Sequence, residues 1–163
     1  MIACLVRHGI AHPDRGRGDF ERSLTEDGIS RMRRIVAGLR WAMKVRPTAI
    51  FSSPLRRTVQ TAELISEGLD IPDLMLCEWL APDGNPGEFG TTFQSVSDAV
   101  ILVGHQPGLG KLASRLLTGT DDLAFLPFKK GAAACIQLPE SGSRGQLQWF
   151  MTPAQLSCIG RRR

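Results

Sequence analysis

The sequence predicts a three-layer α/β/α sandwich on a mainly parallel central sheet with at least one antiparallel strand, and three observations carry that prediction. Two short, unbroken apolar runs with β-branched members, residues 2–6 and 99–103, read as central strands buried on both faces. After each comes a stretch whose apolar residues recur at three and four positions, the signature of amphipathic helices. Near the end, two further strand candidates flank a turn-rich segment, the pattern of a hairpin and so of antiparallel pairing.

Taken in order, the first strand stops abruptly on Arg7-His8-Gly9, with His12 just beyond. Residues 13–19 are rich in turn formers and charge and read as a loop. Ser23 followed by Glu26 offers a capping box, and Glu26 and Asp27 suit the positive end of a helix. Ile29, Met32, Val36, Leu39 and Met43 then share one face opposite Arg33, Arg34 and Arg40, predicting a helix of about four turns. Residues 48–51 form a short strand after Pro47. It runs into Ser53 and Pro54, which suit a cap and a first helical position, and Leu55, Val59, Ala62 and Ile65 repeat at helical spacing. Residues 74–80 read as a third strand interrupted by Glu78, and 81–87 as a loop. The strand at 99–103 ends on Gly104-His105-Gln106-Pro107. A helix follows, with Leu109, Leu112, Ala113, Leu116 and Leu117 inward and Gly119 as its stop. Residues 132–138 and 146–150 are the closing strand candidates, with a turn at 139–143 between them.

The 163 residues fit a single domain, 1–163, with a basic tail at 160–163. A composition of 42% hydrophobic and 22% charged residues is that of an ordinary globular protein rather than a disordered chain. Of the formal charge of +4, Arg161, Arg162 and Arg163 supply three, so an extended nucleic-acid face is not indicated, and the tail reads as a solvated terminus. No apolar run approaches the roughly 18 residues of a membrane span, and the start lacks the pattern of a secretory signal, so the expected location is the cytoplasm. Cys4, Cys77, Cys135 and Cys158 are scattered, without CxxC or zinc-like spacing, and read as reduced thiols.

Three separate strands end on Arg7-His8, on the turn before Arg57, and on His105, and in α/β sheets ligands bind beyond the carboxyl ends of the strands. Two arginines and two histidines converging there form an oxyanion pocket, because guanidinium forks match phosphate oxygens. Zinc binding by His8, His12 and His105 is disfavoured by the adjacent Arg7 and by the lack of a carboxylate or thiolate at ligand spacing. Arg56 and Arg57 at the positive end of a helix oppose its macrodipole, a conflict that an anionic ligand relieves. A histidine nucleophile must be neutral at the attacking nitrogen, and adjacent arginines push its pKa in that direction. Gly9 allows a tight backbone approach, so that a carbonyl can accept the other ring proton. His12 reads as a loop histidine, Arg56 as a surface neighbour of Arg57, and Arg15 and Arg22 as solvated loop residues able to guide a phosphopeptide. Residues 104–111 look like a nucleotide-binding loop, but five residues separate Gly104 from Gly110 where that motif wants four. Leu112 also stands in place of the magnesium-holding Ser or Thr.

Leu5-Val6-Arg7-His8-Gly9 resembles the RHG signature of the histidine phosphatase superfamily, the phosphoglycerate-mutase-like proteins. Residues 53–61 resemble its second motif, S-x-L-x-R-x-x-x-T, and Val103-Gly104-His105 with Pro107 its late histidine motif. Arg22-Ser23-Leu24-Thr25 with Gly28, residues 80–84, Lys130-Gly131-Ala132, and Leu147-Gln148-Trp149 with Pro153 are similar to the short, SixA-like branch. The resemblance implies a phosphoglycerate-mutase-like sandwich and His8 as the nucleophile that accepts a phosphoryl group. It implies Arg7 and Arg57 as holders of the phosphoryl oxygens and His105 as a stabiliser of charge in transfer. Gly9 and Arg22 join the substrate-binding set, and water hydrolyses the phosphohistidine intermediate with no metal and no cofactor.

Larger members of the superfamily place a leaving-group acid, a glutamate, where this chain has Pro82; Asp83 and Glu78 are the neighbouring candidates, with Glu88 further on. The short branch also lacks that glutamate, and an imidazole leaving nitrogen needs less acid help than an alkoxide. The expected partner is therefore a phosphorylated protein, a histidine-containing phosphotransfer domain, or else a small phosphorylated substrate, with phosphate or sulfate as the simplest occupant of the pocket. Nucleic acid and membrane are not expected partners. A broad small-molecule phosphomonoesterase and a non-catalytic phosphoprotein-binding module are the alternatives.

Overall fold

Strands β1 (Ile2–Arg7), β2 (Ala49–Ser52), β3 (Asp73–Leu76), β4 (Ala99–Gly104), β5 (Ala133–Gln137) and β6 (Gln146–Met151) form one sheet in the computed structural model, in the order β3-β2-β4-β1-β5-β6. The structure describes residues 1–16, 18–89, 99–121, 126–139 and 144–161. β3, β2, β4 and β1 pair in parallel, whereas β5 runs antiparallel to β1 and β6 antiparallel to β5. The expected mainly parallel sheet with an antiparallel portion is thus the one observed.

The pleat sends successive side chains to opposite faces. Cys4, Val6, Ile50, Ile101 and Val103 turn toward Met32, Ile35 and Leu39 of α1 (Glu26–Ala42), Ile65 of α2 (Arg56–Leu69) and Leu156 of α4 (Pro153–Arg161). Ala3, Leu5, Phe51, Val100 and Leu102 turn the other way, onto Leu109 and Leu112 of α3 (Gly108–Thr118), Trp79 and Phe128. Three helices cover one face; α3 and the turn at Glu78–Leu80 cover the other, which completes the three layers.

Four local expectations change in the structure. Ser23 does not cap α1: its carbonyl accepts from the His12 amide at 2.9 Å beside the Ala11 to Leu24 bridge, which keeps the chain extended, and Thr25 Oγ1 accepts from the Gly28 amide instead. α2 starts at Arg56 rather than Pro54 and has no side-chain cap, because Ser53 Oγ is engaged by His105. The third strand ends at Leu76; the Cys77 amide turns to the Ser52 carbonyl, and the chain winds into the short turn that buries Trp79 and Leu80 while leaving Glu78 outside. The stretch after β6, to which the sequence reading assigns no element before the tail at 160–163, is helical and takes in the first two residues of that tail. Thr152 and Gln155 exchange hydrogen bonds as a capping box around Pro153, and Gly160 and Arg161 form the last turn of α4.

That helix lies close on α1. A Cβ at Gly38 would collide with the Leu156 carbonyl, and one at Gly160 with the Arg34 carbonyl. Arg162 and Arg163, and residues 140–143 of the expected turn, lie outside the described residues. Among the described residues no helix is long and apolar enough to cross a membrane. Cys4 stands opposite Cys135 in the β1/β5 register, and both are free thiols, as are Cys77 and Cys158.

Candidate active site

The order β2-β4-β1 sets the carboxyl ends of three parallel strands side by side. They deliver Arg7-His8-Gly9 after β1, Ser53 and, in the first turn of α2, Arg57 after β2, and His105 after β4. Arg7, His8, Arg57 and His105 are thereby brought together. The His8 and His105 ring centroids lie 5.0 Å apart with planes tilted at 54°. Arg57 Nη2 donates to His105 Nδ1 at 3.3 Å. His8, Arg57 and His105 are only 5%, 4% and 4% exposed, so their charges and protons are set by the protein.

His8 Nδ1 lies 2.7 Å from the Gly9 carbonyl. A carbonyl only accepts, so the ring proton belongs on Nδ1 and the lone pair on Nε2. Burial pulls the His8 pKa down to about 3, against the upward pull of the Gly9 carbonyl, and His105, Arg57 and Arg7 add to the lowering. The arginines credited by the sequence reading act in the expected direction, but desolvation is the larger cause. Gly9 itself is pinned: a Cβ there would stand 2.7 Å from Met32 Cγ, and its amide donates to Thr61 Oγ1 at 3.1 Å, which donates to the Arg57 carbonyl at 2.7 Å. The amide of Gly131, at φ 81°, is shared between the Arg7 and His8 carbonyls at 3.0 and 3.2 Å.

His105 is also held neutral. Burial lowers its pKa to about 4, Arg57 and Arg7 assist, and Asp19 opposes. Since Arg57 can only donate, His105 Nδ1 accepts, and the ring proton sits on Nε2, donating to Ser53 Oγ at 2.9 Å. Arg7 Nη1 donates to the Phe128 carbonyl at 2.6 Å. Burial, then repulsion by Arg57, lowers the Arg7 pKa. Among the described residues the Nε of Arg7 and that of Arg57 are buried without a hydrogen-bond partner. An anion with several oxygens suits two such guanidinium groups.

The conflict of Arg56 and Arg57 with the α2 dipole is met by the protein's own acids, from the short turn Asp19–Glu21. Asp19 Oδ2 pairs with Arg57 Nη2 at 2.8 Å, the Asp19 carbonyl accepts from Arg57 Nη1 at 2.7 Å, and Glu21 approaches Arg56 at 3.6 Å. Arg22 donates to Asp19 Oδ1 at 2.6 Å and to the His12 carbonyl at 2.7 Å, so it reaches the four central residues only through Asp19. His12 holds the loop through its backbone amide and carbonyl. Arg15 is exposed. Glu78 and Asp83, the two candidate acids, are exposed, and among the described residues neither shares a hydrogen bond or ion pair with the four. Among the described residues no group of three or more His, Cys, Asp or Glu is placed to hold a metal ion.

Sequence reasoning missed Asp19 and the tertiary roles of Ser53 and Thr61. The i,i+3 spacing of Asp19 and Arg22 was a readable signal of an ion pair; the Phe128 carbonyl on Arg7 had none.

Comparison with known proteins agrees with this arrangement. The model of the histidine phosphatase superfamily (branch 1) matches residues 3–79. The phosphohistidine phosphatase SixA of Escherichia coli (strain K12) is 29% identical over 161 residues, 96% of each chain. An uncharacterized protein of Picosynechococcus sp. is 35% identical over 125 residues, 73% of this chain and 74% of that one. A solved structure of the protein histidine phosphatase SixA complexed with tungstate superposes with a TM-score of 0.81 at 30% identity, covering 96% of this chain and 99% of that one. With its strand-end histidines and arginines set in the same fold, the chain belongs to the histidine phosphatase superfamily, in its SixA-like branch.

Proposed function

We propose that this chain, acting as one domain, is a metal-independent protein phosphohistidine phosphatase that works through a phosphohistidine on His8. The observation that carries the reading is the His8 ring: buried, neutral, its Nδ1 proton committed to the Gly9 carbonyl and its Nε2 lone pair free. That lone pair attacks phosphorus, and the phosphoryl oxygens are drawn by the guanidinium groups of Arg7 and Arg57. Water then hydrolyses the new N–P bond. Such a transfer is governed by positioning and fixed charge. His105 helps stabilise charge in transfer, and its Nδ1, accepting from Arg57 Nη2, aligns that guanidinium.

A folded phosphoprotein as substrate is supported by a groove of about 1000 Å3 that runs from Arg7 between α1 and α4 and carries Arg31, Arg34, Lys129, Lys130 and Arg161. Among the described residues its single acid, Asp27, is paired with Arg31 at 2.8 Å, leaving a cationic surface suited to acidic side chains around a phosphohistidine. The SixA relatives named above act, by their names, on phosphohistidine or as protein histidine phosphatases, which favours the same class. Free thiols opposite each other at Cys4 and Cys135 fit a reducing compartment such as the cytoplasm.

The test is to mix the protein with phosphohistidine-, phosphoserine- and phosphotyrosine-bearing proteins and with an aryl phosphate, and to trap an acid-labile phosphoenzyme. The expected result is trapping and turnover with a preference for phosphohistidine, both lost in His8→Ala. A preference for phosphoserine or the small ester overturns the substrate assignment, and phosphate binding without any turnover overturns the enzyme itself.

A further inference from the structure

We propose that Asp19 selects a nitrogen leaving group: its carboxylate receives the distal ring N–H of a substrate phosphoimidazolium at the mouth of the pocket. This rests on the phosphohistidine reading above and names the residue that would give it specificity.

The placement comes first. Asp19 Oδ2 is 2.8 Å from Arg57 Nη2, and the same Nη2 is 3.3 Å from His105 Nδ1, whose ring stands beside that of His8. The carboxylate is therefore one guanidinium away from the two histidines. Its other oxygen takes Arg22 Nη1 at 2.6 Å. Each carboxylate oxygen has a second acceptor site, so both arginines can be held while one more donor is accepted. The side chain is 51% exposed where Arg57 is 5% exposed, so it spans from the buried floor to open solvent, where a leaving group must stand.

Charge comes second. The groups facing Asp19 are Arg22 from its own turn, Arg57 from the start of α2, and His105 after β4, with the Arg56 to Glu21 pair alongside. Partial burial would raise the Asp19 pKa, but hydrogen bonds and charge from Arg22 and Arg57 outweigh it and hold the carboxyl below its usual range. An acid this firmly ionised does not supply a proton at neutral pH. It is of no help to an alkoxide, which has to gain one. A phosphoimidazolium has its proton already and needs only to keep it.

The step balances without any further reagent. The substrate ring carries the phosphoryl group on one nitrogen and a proton from solvent on the other. The His8 Nε2 lone pair forms a new N–P bond as the substrate N–P bond breaks, and that bond pair stays on the departing nitrogen. The ring leaves as neutral imidazole with its distal proton. Positive charge passes to the His8 ring, whose Nδ1–H remains on the Gly9 carbonyl. The Asp19 carboxylate is unchanged throughout; it holds a larger fraction of the substrate in the protonated, easily expelled form.

Asp19→Asn keeps the shape and removes the charge. Full pH profiles of kcat at saturating substrate, which report ionisation within the enzyme–substrate complex, are measured for free 3-phosphohistidine and for p-nitrophenyl phosphate. With phosphohistidine, the alkaline limb of kcat moves down by about one pH unit in the variant and the rate above that limb falls about tenfold, as expected for losing a carboxylate within hydrogen-bond reach. With the aryl ester the rate rises, since its oxygens no longer compete with Asp19 for Arg57. Asp19→Glu restores the limb. A parallel loss on both substrates, or an unmoved limb, overturns the proposal and leaves Asp19 as a mere tie between loop and α2. Wild-type protein that hydrolyses the aryl ester but is inert toward phosphohistidine sinks the parent reading, and this one with it.

Discussion

At the floor of the pocket His8 and His105 are fastened to a backbone carbonyl and a buried hydroxyl, whereas at its rim Asp19, Glu21 and Arg22 are fastened mainly to arginines, the buried Arg57 among them, and to one another. The His105 to Ser53 contact joins two strand ends whose spacing the sheet fixes, and the His8 ring is held by the backbone of the next residue. Rim contacts join a loop to a helix start, and the more exposed ion pairs among them, Arg22 to Asp19 and Arg56 to Glu21, contribute about 0 to 1 kcal/mol each. The contrast separates two tasks. Reactivity is set where water is excluded and protons are assigned by the backbone; choice of substrate is set where side chains meet solvent.

Substitutions at the two places should therefore differ in kind. His8→Ala removes the group on which the floor converges and should cut turnover of every phosphorylated substrate by at least about a thousandfold, with no trapped phosphoenzyme. Appreciable residual turnover would place the nucleophile elsewhere. Arg57→Lys keeps a charge but loses the fork, and a loss of about a hundredfold in kcat/KM is expected on nitrogen and oxygen esters alike. Equal activity in that variant would mean that Asp19, not phosphate, is what Arg57 is for.

The floor should also betray itself through pH. The folded pKa values of His8 and His105 lie near 3 and 4, below the ordinary 6.5, so the unfolded chain binds protons that the folded one refuses. Stability is then complete above pH 6.5 and falls as pH drops toward those folded values, by at most about 1.4 kcal/mol per pH unit for each histidine. Urea unfolding between pH 7 and 5 measures this; a flat profile contradicts the burial of two neutral rings. Ser53→Ala leaves the His105 Nε2–H without its partner in a site that is fully buried, and about 1 to 2 kcal/mol of stability and a several-fold loss of turnover should follow. At the smallest scale, Lys129→Glu with Lys130→Glu should raise KM for a phosphoprotein severalfold, salt-dependently, without a matching rise for an aryl phosphate. A matching rise would move those lysines from the groove to the floor.

The same division explains what could be read from the sequence. His8, Arg57 and His105 were legible because each directly follows a buried apolar strand or opens the helix after one, so local pattern and position coincide. Ser53 was read as a helix cap because capping is the local use of a serine before Pro54; a tertiary partner, His105, outbid it. Asp19 sat in a stretch of turn formers and charge whose i,i+3 spacing to Arg22 signalled only a local ion pair; its bond to Arg57 depends on where that loop folds back. The depressed pKa of His8 was foreseen, but its main cause was not, because burial belongs to the assembled layers. α4 went unread for a different reason: Leu156 alone among its residues is fully buried, too little for an apolar period, though Thr152 and Gln155 spelled its start.

The Gly131 amide, divided between the carbonyls of Arg7 and His8, has a practical consequence. It cannot exchange its hydrogen with solvent until the end of β1 parts from the start of β5. Deuterium uptake at that one position is thus a reporter of how often the pocket floor opens. Its slowing on addition of tungstate or phosphate would register occupancy of the site in the unlabelled, unmutated protein.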